Sequence, residues 1–524
     1  MTPAKARHRP ASPAASLPGL VVGGTGSGCG KTSFTLALLC ALRQRGLLVR
    51  TGKAGPDYID TAFHAALSGQ PAANLDTWMC RASAPGAKAA NRPHDTALPP
   101  GLRCIAARMT VPDPATGRMP DMLLVEGAMG LHDGGARGAG STALLACLTE
   151  LPVLLVLHAG GMGQSAAAVA EGFLRHRPAW LPARKPLRFL GLVCTHVGSQ
   201  RHARMLQEAL LPLKKELPLL GLMPREGAPE LRSRHLGLVE AREALDGMHA
   251  RQLAQWAEDN FRTDALLRLL RVPPARPAAA QTVYPQHDSG PVAHFFRPAP
   301  ARPQSAPVRP RSRRPLVGMA WDAAFSFCYA DLPALLHELG AEVRTFSPLR
   351  DCAPPAGCRG LYFPGGYPEL HAQRLEDNVR MREALREMTQ QGLPVYGECG
   401  GYMYLGRSLR TQEGTHAMSG LLPFACTLGD RKAALGYRAA QPLPGWPDAH
   451  SRPFWLRGHE FHYARETGEP APAHCKPLWR LYDSAGTFLR EEGLRHGSVA
   501  GSWLHAYPEG ARPFWRAWLR SLKA

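Results

Sequence analysis

Five short runs of apolar residues punctuate the first half of the chain, at 19–22, 122–125, 153–157, 189–193 and 219–223. Each is bounded by Gly, Pro or polar residues, the pattern of strands buried on both faces. Helix-like segments lie between them, including 33–45 and 199–210. This alternation predicts a parallel α/β sheet over residues 18–250. Residues 81–120 are polar with several Pro and read as a loop-like insertion. From about Arg271 to Arg314 Pro, Ala, Arg and Gln dominate and the periodicity vanishes, so a Pro-rich linker is assigned to 251–314. Order resumes with strands at 316–320, 342–346, 360–363 and 393–396 and helices at 330–339 and 376–391. The predicted fold class is α/β, with two doubly wound domains, the second spanning 315–524.

Composition narrows the function classes. A chain of 524 residues with 45% apolar content supports two or three full cores. No stretch approaches the roughly 18–20 uncharged apolar residues that span a bilayer. Residues 1–17 are basic, Pro/Ala-rich and free of acids, and read as a disordered tail rather than a signal peptide. A cytoplasmic protein without a membrane partner is expected. The twelve Cys are scattered with no C-x-x-C pair, which suggests neither a zinc site nor a disulfide framework. The formal charge is +20, but the basic residues are dispersed, without an aromatic-interleaved stripe. That argues against nucleic acid and fits small polyanions.

The segment Gly24-Thr25-Gly26-Ser27-Gly28-Cys29-Gly30-Lys31-Thr32 follows a strand and opens a helix. This is the setting of a phosphate-binding loop, whose backbone N–H groups and helix N-terminus cradle phosphate oxygens. It is a variant, because Thr25 stands where the strict pattern has Gly, with Gly24 one residue earlier. Gly24, Thr25, Gly28 and Gly30 would shape the loop. Lys31 would reach the β/γ-phosphates, and the Thr32 hydroxyl would meet Mg²⁺. Glu126 ends the apolar strand at 122–125, and Asp133 follows in Gly-Leu-His-Asp-Gly. Lys53, Asp57 and Asp60 share one Gly/Pro turn.

In the second half, Leu393-Pro394-Val395-Tyr396-Gly397-Glu398-Cys399-Gly400-Gly401 runs a strand into a tight turn before a helix. A Cys on such an elbow would be exposed, with its pKa lowered by the helix dipole. His505 is the candidate base. Backbone N–H groups of Gly400 and of the Pro364-Gly365-Gly366 loop are candidate oxyanion donors.

Together these residues resemble the cobyrinic acid or hydrogenobyrinic acid a,c-diamide synthase family. The resemblance spans most of 18–250 and 315–515. Telling segments are Lys53–Asp60 with Phe63-His64-Ala65, Asn74-Leu75-Asp76-Thr77-Trp78-Met79, Glu126-Gly127-Ala128-Met129-Gly130-Leu131, Val197-Gly198-Ser199, Ser233-Arg234-His235-Leu236-Gly237-Leu238 and Arg457-Gly458-His459-Glu460-Phe461-His462-Tyr463. The resemblance implies a P-loop domain of the dethiobiotin-synthetase type followed by a flavodoxin-like class I glutamine amidotransferase. It implies ATP- and glutamine-dependent amidation of the a and c acetates of a corrin polycarboxylate. Asp57, Asp60, Glu126 and Asp133 would serve metal binding and activation, with Thr32, Glu126 and Asp57 as Mg²⁺ ligands. Lys53 and Tyr58 would meet substrate. Base rates alone point to a homodimer.

The chain departs from the family at His158, where Asp is expected, and at Thr195, where Asn may read the nucleobase. Gly26 and Cys29 also depart, and Tyr507 stands two residues after His505. Cobyric acid synthase normally carries a Gln-Asn-Met-Ser-like segment where this chain has Gly-Pro-Asp-Tyr-Ile-Asp. A nickel-sirohydrochlorin amidotransferase shares the motifs. A non-catalytic P-loop switch would have no use for the Cys399 elbow.

Overall fold

The computed structural model describes residues 17–85, 97–228, 247–273, 314–444, 454–468 and 471–522. The predicted tail lies outside them apart from Leu17, as does the segment at 233–238 and most of the predicted linker.

The first sheet has seven strands in the order β3-β2-β4-β1-β5-β6-β7, all parallel. They are β1 (Gly19–Gly24), β2 (Val49–Ala54), β3 (Ala73–Leu75), β4 (Met122–Glu126), β5 (Val153–His158), β6 (Phe189–Val197) and β7 (Leu219–Pro224). β1 and β2 are buried along their whole length; β1 is marked by an apolar run, as strands covered on both faces usually are, but β2, Val-Arg-Thr-Gly-Lys-Ala, buries polar side chains and carries no such mark. The chain leaves β1 toward β2 but leaves β4 toward β5, so the crossovers diverge between β1 and β4. Such a switch point leaves a crevice at the carboxyl ends of the strands. Register sets Val22 beside Glu126 and Lys53 beside Glu126.

Two corrections to the sequence reading fall in this half. Pro100–Met109 is a helix that buries Leu102, Ile105 and Met109, inside the segment expected to be loop. Its Pro sits at the first helical position, where a missing N–H costs nothing. The helices Gly247–Asn260 and Thr263–Leu270 occupy the start of the expected linker. They belong to the first core, where Leu253, Ala254, Trp256 and Leu266 pack with the first helix, α1 (Lys31–Gln44). Their apolar residues recur at helical spacing, a signal that the adjoining Pro-rich stretch masked.

The second half builds on β8 (Leu316–Ala320), β9 (Glu342–Phe346), β10 (Gly360–Phe363) and β11 (Val395–Glu398). Strand Val499–Ser502 joins β11 in parallel and Leu494–His496 closes the edge antiparallel. A five-stranded antiparallel sheet runs Phe488–Glu492, Trp479–Tyr482, Ala434–Pro442, Leu456–His462, His505–Ala506. Apart from the late strand that carries His505, its strands went unassigned from the sequence.

The halves share a core. Tyr329, Ala439 and Tyr507 pack in one cluster with Tyr58, Leu75, Trp78 and Met79. Arg457 is buried and lies 4.4 Å over the Trp78 ring. It donates to the carbonyls of Trp78 at 3.0 Å, Ser83 at 3.1 Å and Ala84 at 3.1 Å. The Tyr507 hydroxyl donates to the Asn74 carbonyl at 2.5 Å. No described helix is long and apolar enough to cross a membrane.

Candidate active site

At the switch point, Gly28 and Gly30 take φ of 72° and 84°, left-handed values that let the loop turn before α1. A Cβ on Gly24 would stand 2.4 Å from Cys29 Sγ and 2.7 Å from Lys31 Cδ, so a larger residue there would displace the side chains of the loop. The Thr25 amide donates to Val156 O at 2.9 Å and so braces the loop from behind. Lys31 arches back, its Nζ 2.9 Å from Gly26 O. Thr195, expected near the nucleobase, spends its hydroxyl on Cys29 O at 2.7 Å and Leu157 O at 3.3 Å. It fastens the loop to the sheet. His158 stacks on His196 at 4.0 Å.

Glu126 is the hub of a fully buried polar cluster. Its Oε1 accepts from Thr32 Oγ1 at 2.6 Å and from Lys53 Nζ at 2.7 Å, and its Oε2 faces His64 Nε2 at 2.8 Å. Lys53 also pairs with Asp60 at 2.5 Å. Burial alone would raise the Glu126 pKa, but Lys53 and His64 outweigh it and hold the carboxyl below its ordinary range. Burial and the adjacent Glu126 push Asp60 the other way, to about 6, against the pull of Lys53. Asp57 caps the second helix, α2 (Tyr58–Ser68), its Oδ1 accepting from Ile59 N and Asp60 N at 2.9 Å. Asp133 accepts from Gly130 N at 2.9 Å on an exposed turn and does not line the cavity described below. His64 is a cluster member that carried no assigned role in the sequence. The helical step from Asp60 to His64 sets both on one face, and Phe63-His64-Ala65 is itself one of the segments that carry the family resemblance.

In the second half, β11 runs into Cys399, whose φ of 47° and ψ of −105° mark a strained elbow. Glycines make the elbow possible. A Cβ on Gly401 would lie 2.1 Å from Phe363 O, and one on Gly400 would lie 2.8 Å from Gly366 N. Gly400 and Gly366 thus stand side by side. The expected exposed, acidified thiol is corrected. Cys399 is buried, and burial with the nearby Glu369 pushes its pKa up, although the Gly400 N–H opposes this. The sulphur faces Phe461 O at 3.8 Å.

His505 is brought to the elbow by register, since Glu398 pairs with Ser502 and His459 with His505. Its ring lies over His459 with centroids 4.8 Å apart. Nδ1 faces the Tyr58 hydroxyl at 3.3 Å, so the residue expected to meet substrate also touches the candidate base of the other half. Burial, then His459 and His462, drive the His505 pKa far down, leaving a neutral imidazole. No hydrogen bond joins it to Cys399 among the described residues. Glu460 is buried beside them and paired with Arg438 and Arg490.

A cavity of about 1060 Å³ is lined by Gly30, Lys31, Thr32, Lys53, Asp60 and Glu126 on one side and by Tyr437, Arg438, His459 and His505 on the other; His505 reaches it, whereas Cys399 and the elbow glycines lie behind that wall and do not line it.

Residues 20–239 match the family described as CobQ/CobB/MinD/ParA nucleotide binding domain, and residues 316–512 match the CobB/CobQ-like glutamine amidotransferase domain. The chain is 38% identical over 495 residues to a hydrogenobyrinate a,c-diamide synthase of Sinorhizobium sp, covering 93% of this chain and 98% of that one. This chain belongs to the a,c-diamide synthase family. A further family member, the hydrogenobyrinate a,c-diamide synthase of Brucella suis, is 39% identical over 93% of this chain and 98% of its own length. The cobyrinate a,c-diamide synthase of Syntrophotalea carbinolica is 36% identical over 95% of this chain and 98% of its own. Members of the family are glutamine-hydrolysing ligases that use ATP, and this chain is one of them.

Proposed function

We propose that this chain amidates the a and c acetate carboxylates of a corrin, using ATP to activate each carboxylate and glutamine as the nitrogen source. The observation that carries the reading is the single cavity lined by both the phosphate loop and the His505 wall. It supports two chemistries that meet across one wall, with the phosphate loop facing the cleft and His505 standing between the cleft and Cys399.

A carboxylate is a poor electrophile until its oxygen carries a phosphoryl group. Attack of the acetate oxygen on the γ-phosphorus releases ADP and leaves an acyl phosphate. Ammonia then adds to the acyl carbon and phosphate departs. Lys31 and the loop amides offset the charge on the phosphoryl oxygens. Lys53 is the cation that meets the acetate of the substrate, and Asp60, paired with it at 2.5 Å, holds the ammonium in place. Thr32 Oγ1 and Glu126 Oε1, 2.6 Å apart, are oxygen donors of the kind that suits a hard cation such as Mg²⁺, and they would hold it together with Asp57 from the start of α2. When bound, Mg²⁺ would supply charge neutralisation at the phosphates.

At the elbow, Cys399 Sγ attacks the glutamine amide carbon. The Gly400 and Gly366 N–H groups face the oxyanion, and His505 takes the thiol proton and passes it to the leaving ammonia. Water then hydrolyses the thioester to glutamate. A free anionic corrin suits the charge of +20 without recourse to nucleic acid or a membrane, and a cytoplasmic homodimer is the expected form.

The test is mass spectrometry of cobyrinic acid, hydrogenobyrinic acid and nickel-sirohydrochlorin after incubation with ATP, Mg²⁺ and glutamine. Two successive amidations of a corrin are expected. Turnover of ATP and glutamine with no amidated corrin would sink the substrate assignment and leave the amidotransferase.

A further inference from the structure

Away from the cavity lining, the antiparallel bridge between Lys476 and Arg495 carries an arrangement that neither reaction uses. Lys476 N donates to Arg495 O at 3.1 Å and Arg495 N to Lys476 O at 2.9 Å. The adjoining pair therefore sets Cys475 across from His496, on the opposite face from Lys476 and Arg495. His474 completes the group from the turn that Cys475 N closes onto Pro472 O at 2.8 Å. Its ring centroid lies 5.0 Å from that of His496. One ligand atom from each of His474, Cys475 and His496 lies within 4.8 Å of the others. The two imidazoles are exposed and the thiol is buried beneath them.

We propose that His474, Cys475 and His496 bind one divalent cation of the zinc class, with water as the fourth ligand. One thiolate and two imidazoles form a borderline-soft set that selects zinc-like ions over Mg²⁺ or Ca²⁺. His496 is already oriented for it. Its Nδ1 faces Leu421 O at 3.4 Å, the outer contact that commonly fixes a ligating imidazole and leaves Nε2 for the metal. In a tetrahedral site the ligand atoms stand about 3.3–3.6 Å apart, so closure needs rotations of about 1 Å from exposed imidazoles. The cation joins the approach to strand Trp479–Tyr482 to the hairpin of Leu494–His496 and Val499–Ser502. That hairpin backs the elbow, since Ser502 O accepts from Cys399 N at 2.8 Å. The bound cation is a clip that stabilises the folded state, because the unfolded chain does not gather the three ligands.

The experiment uses the full chain, stripped with chelator and free of nucleotide. It is titrated with Co²⁺ as a spectroscopic probe and then with Zn²⁺. One equivalent of Co²⁺ is expected to give the intense visible bands of tetrahedral cobalt and a thiolate charge-transfer band, both abolished by Zn²⁺. Zn²⁺ should raise the melting temperature. Cys475→Ser should remove the charge-transfer band, and His496→Gln should weaken binding on the order of tenfold or more. Cys104→Ser, at an exposed thiol elsewhere, should change neither. His474→Gln, at an exposed side chain, covers the case that the Cys475 variant melts lower even in chelator. A wild-type chain without a thiolate band, or a band that survives Cys475→Ser, overturns the proposal.

Discussion

The surroundings of Glu126 and of Cys399 differ in how far they are assembled. Glu126 is already joined to Thr32, Lys53 and His64. Cys399 makes no hydrogen bond to His505, which turns instead toward Tyr58. Charge explains the difference. Buried carboxylates and an ammonium are costly to leave unpaired, so they gather without a substrate to draw them together. A protonated thiol and a neutral imidazole carry no such penalty. Catalytic contacts between neutral groups often tighten only when substrate arrives.

The largest expected effects would break this comparison outright. Cys399→Ala should reduce glutamine-driven amidation to background while ammonium-driven amidation continues. Glu126→Gln should lower amidation by about 10²–10³-fold with either nitrogen source. Both are read by product mass with each nitrogen source. Loss of both activities in the Cys399 variant would show that the elbow is not a separate nitrogen-supplying site. Normal product from the Glu126 variant would remove that residue from the phosphate chemistry.

A smaller effect concerns the junction. Arg457→Ala removes a buried guanidinium that serves three carbonyls of the first half. It should cost about 2–4 kcal/mol of stability, measured by denaturant unfolding. A loss confined within experimental error would mean that the halves do not rely on this anchor.

The smallest effect sharpens the contrast through pH. Burial pushes Glu398 to about 8, and burial with Glu460 does the same to Glu492, from an ordinary 4.5. The unfolded chain ionises these groups near 4.5, whereas the folded chain keeps their protons up to about 8. Their contribution therefore falls as pH rises between those values. Glu126, held low, contributes the opposite way: its stabilisation is present above the unfolded value of 4.5 and is lost in acid. Melting temperature against pH should slope less steeply in Glu492→Gln than in the parent. An unchanged slope would show that Glu492 is not the proton holder.

Five strands of the first sheet were legible as apolar runs, and the phosphate loop because Lys31-Thr32 after a strand has few structural uses; β2, which buries Arg50, Thr51 and Lys53, and the three-residue β3 were not. Glu126 was legible as the charged end of one of the apolar runs. Much of the second half was not. Short antiparallel strands such as Thr415–Ala417 and Arg465–Thr467 carry too few residues for alternation to register. The meeting of Tyr58 with His505 joins residues 447 positions apart, and no local pattern encodes it. The thiol environment of Cys399 also depended on carboxylates, Glu369 and Glu460, that only the fold brings near. The elbow itself was readable, because its glycines must admit Phe363 O and Gly366 N.

The shared packing of Tyr329, Ala439 and Tyr507 against Leu75, Trp78 and Met79 also bears on synthesis. During translation the first half emerges with that apolar surface uncovered until the last strands are made. It is an intermediate that must avoid aggregation while it waits. Expressing the halves as separate polypeptides would expose the same surface on both, and the two fragments should be recovered together or not at all.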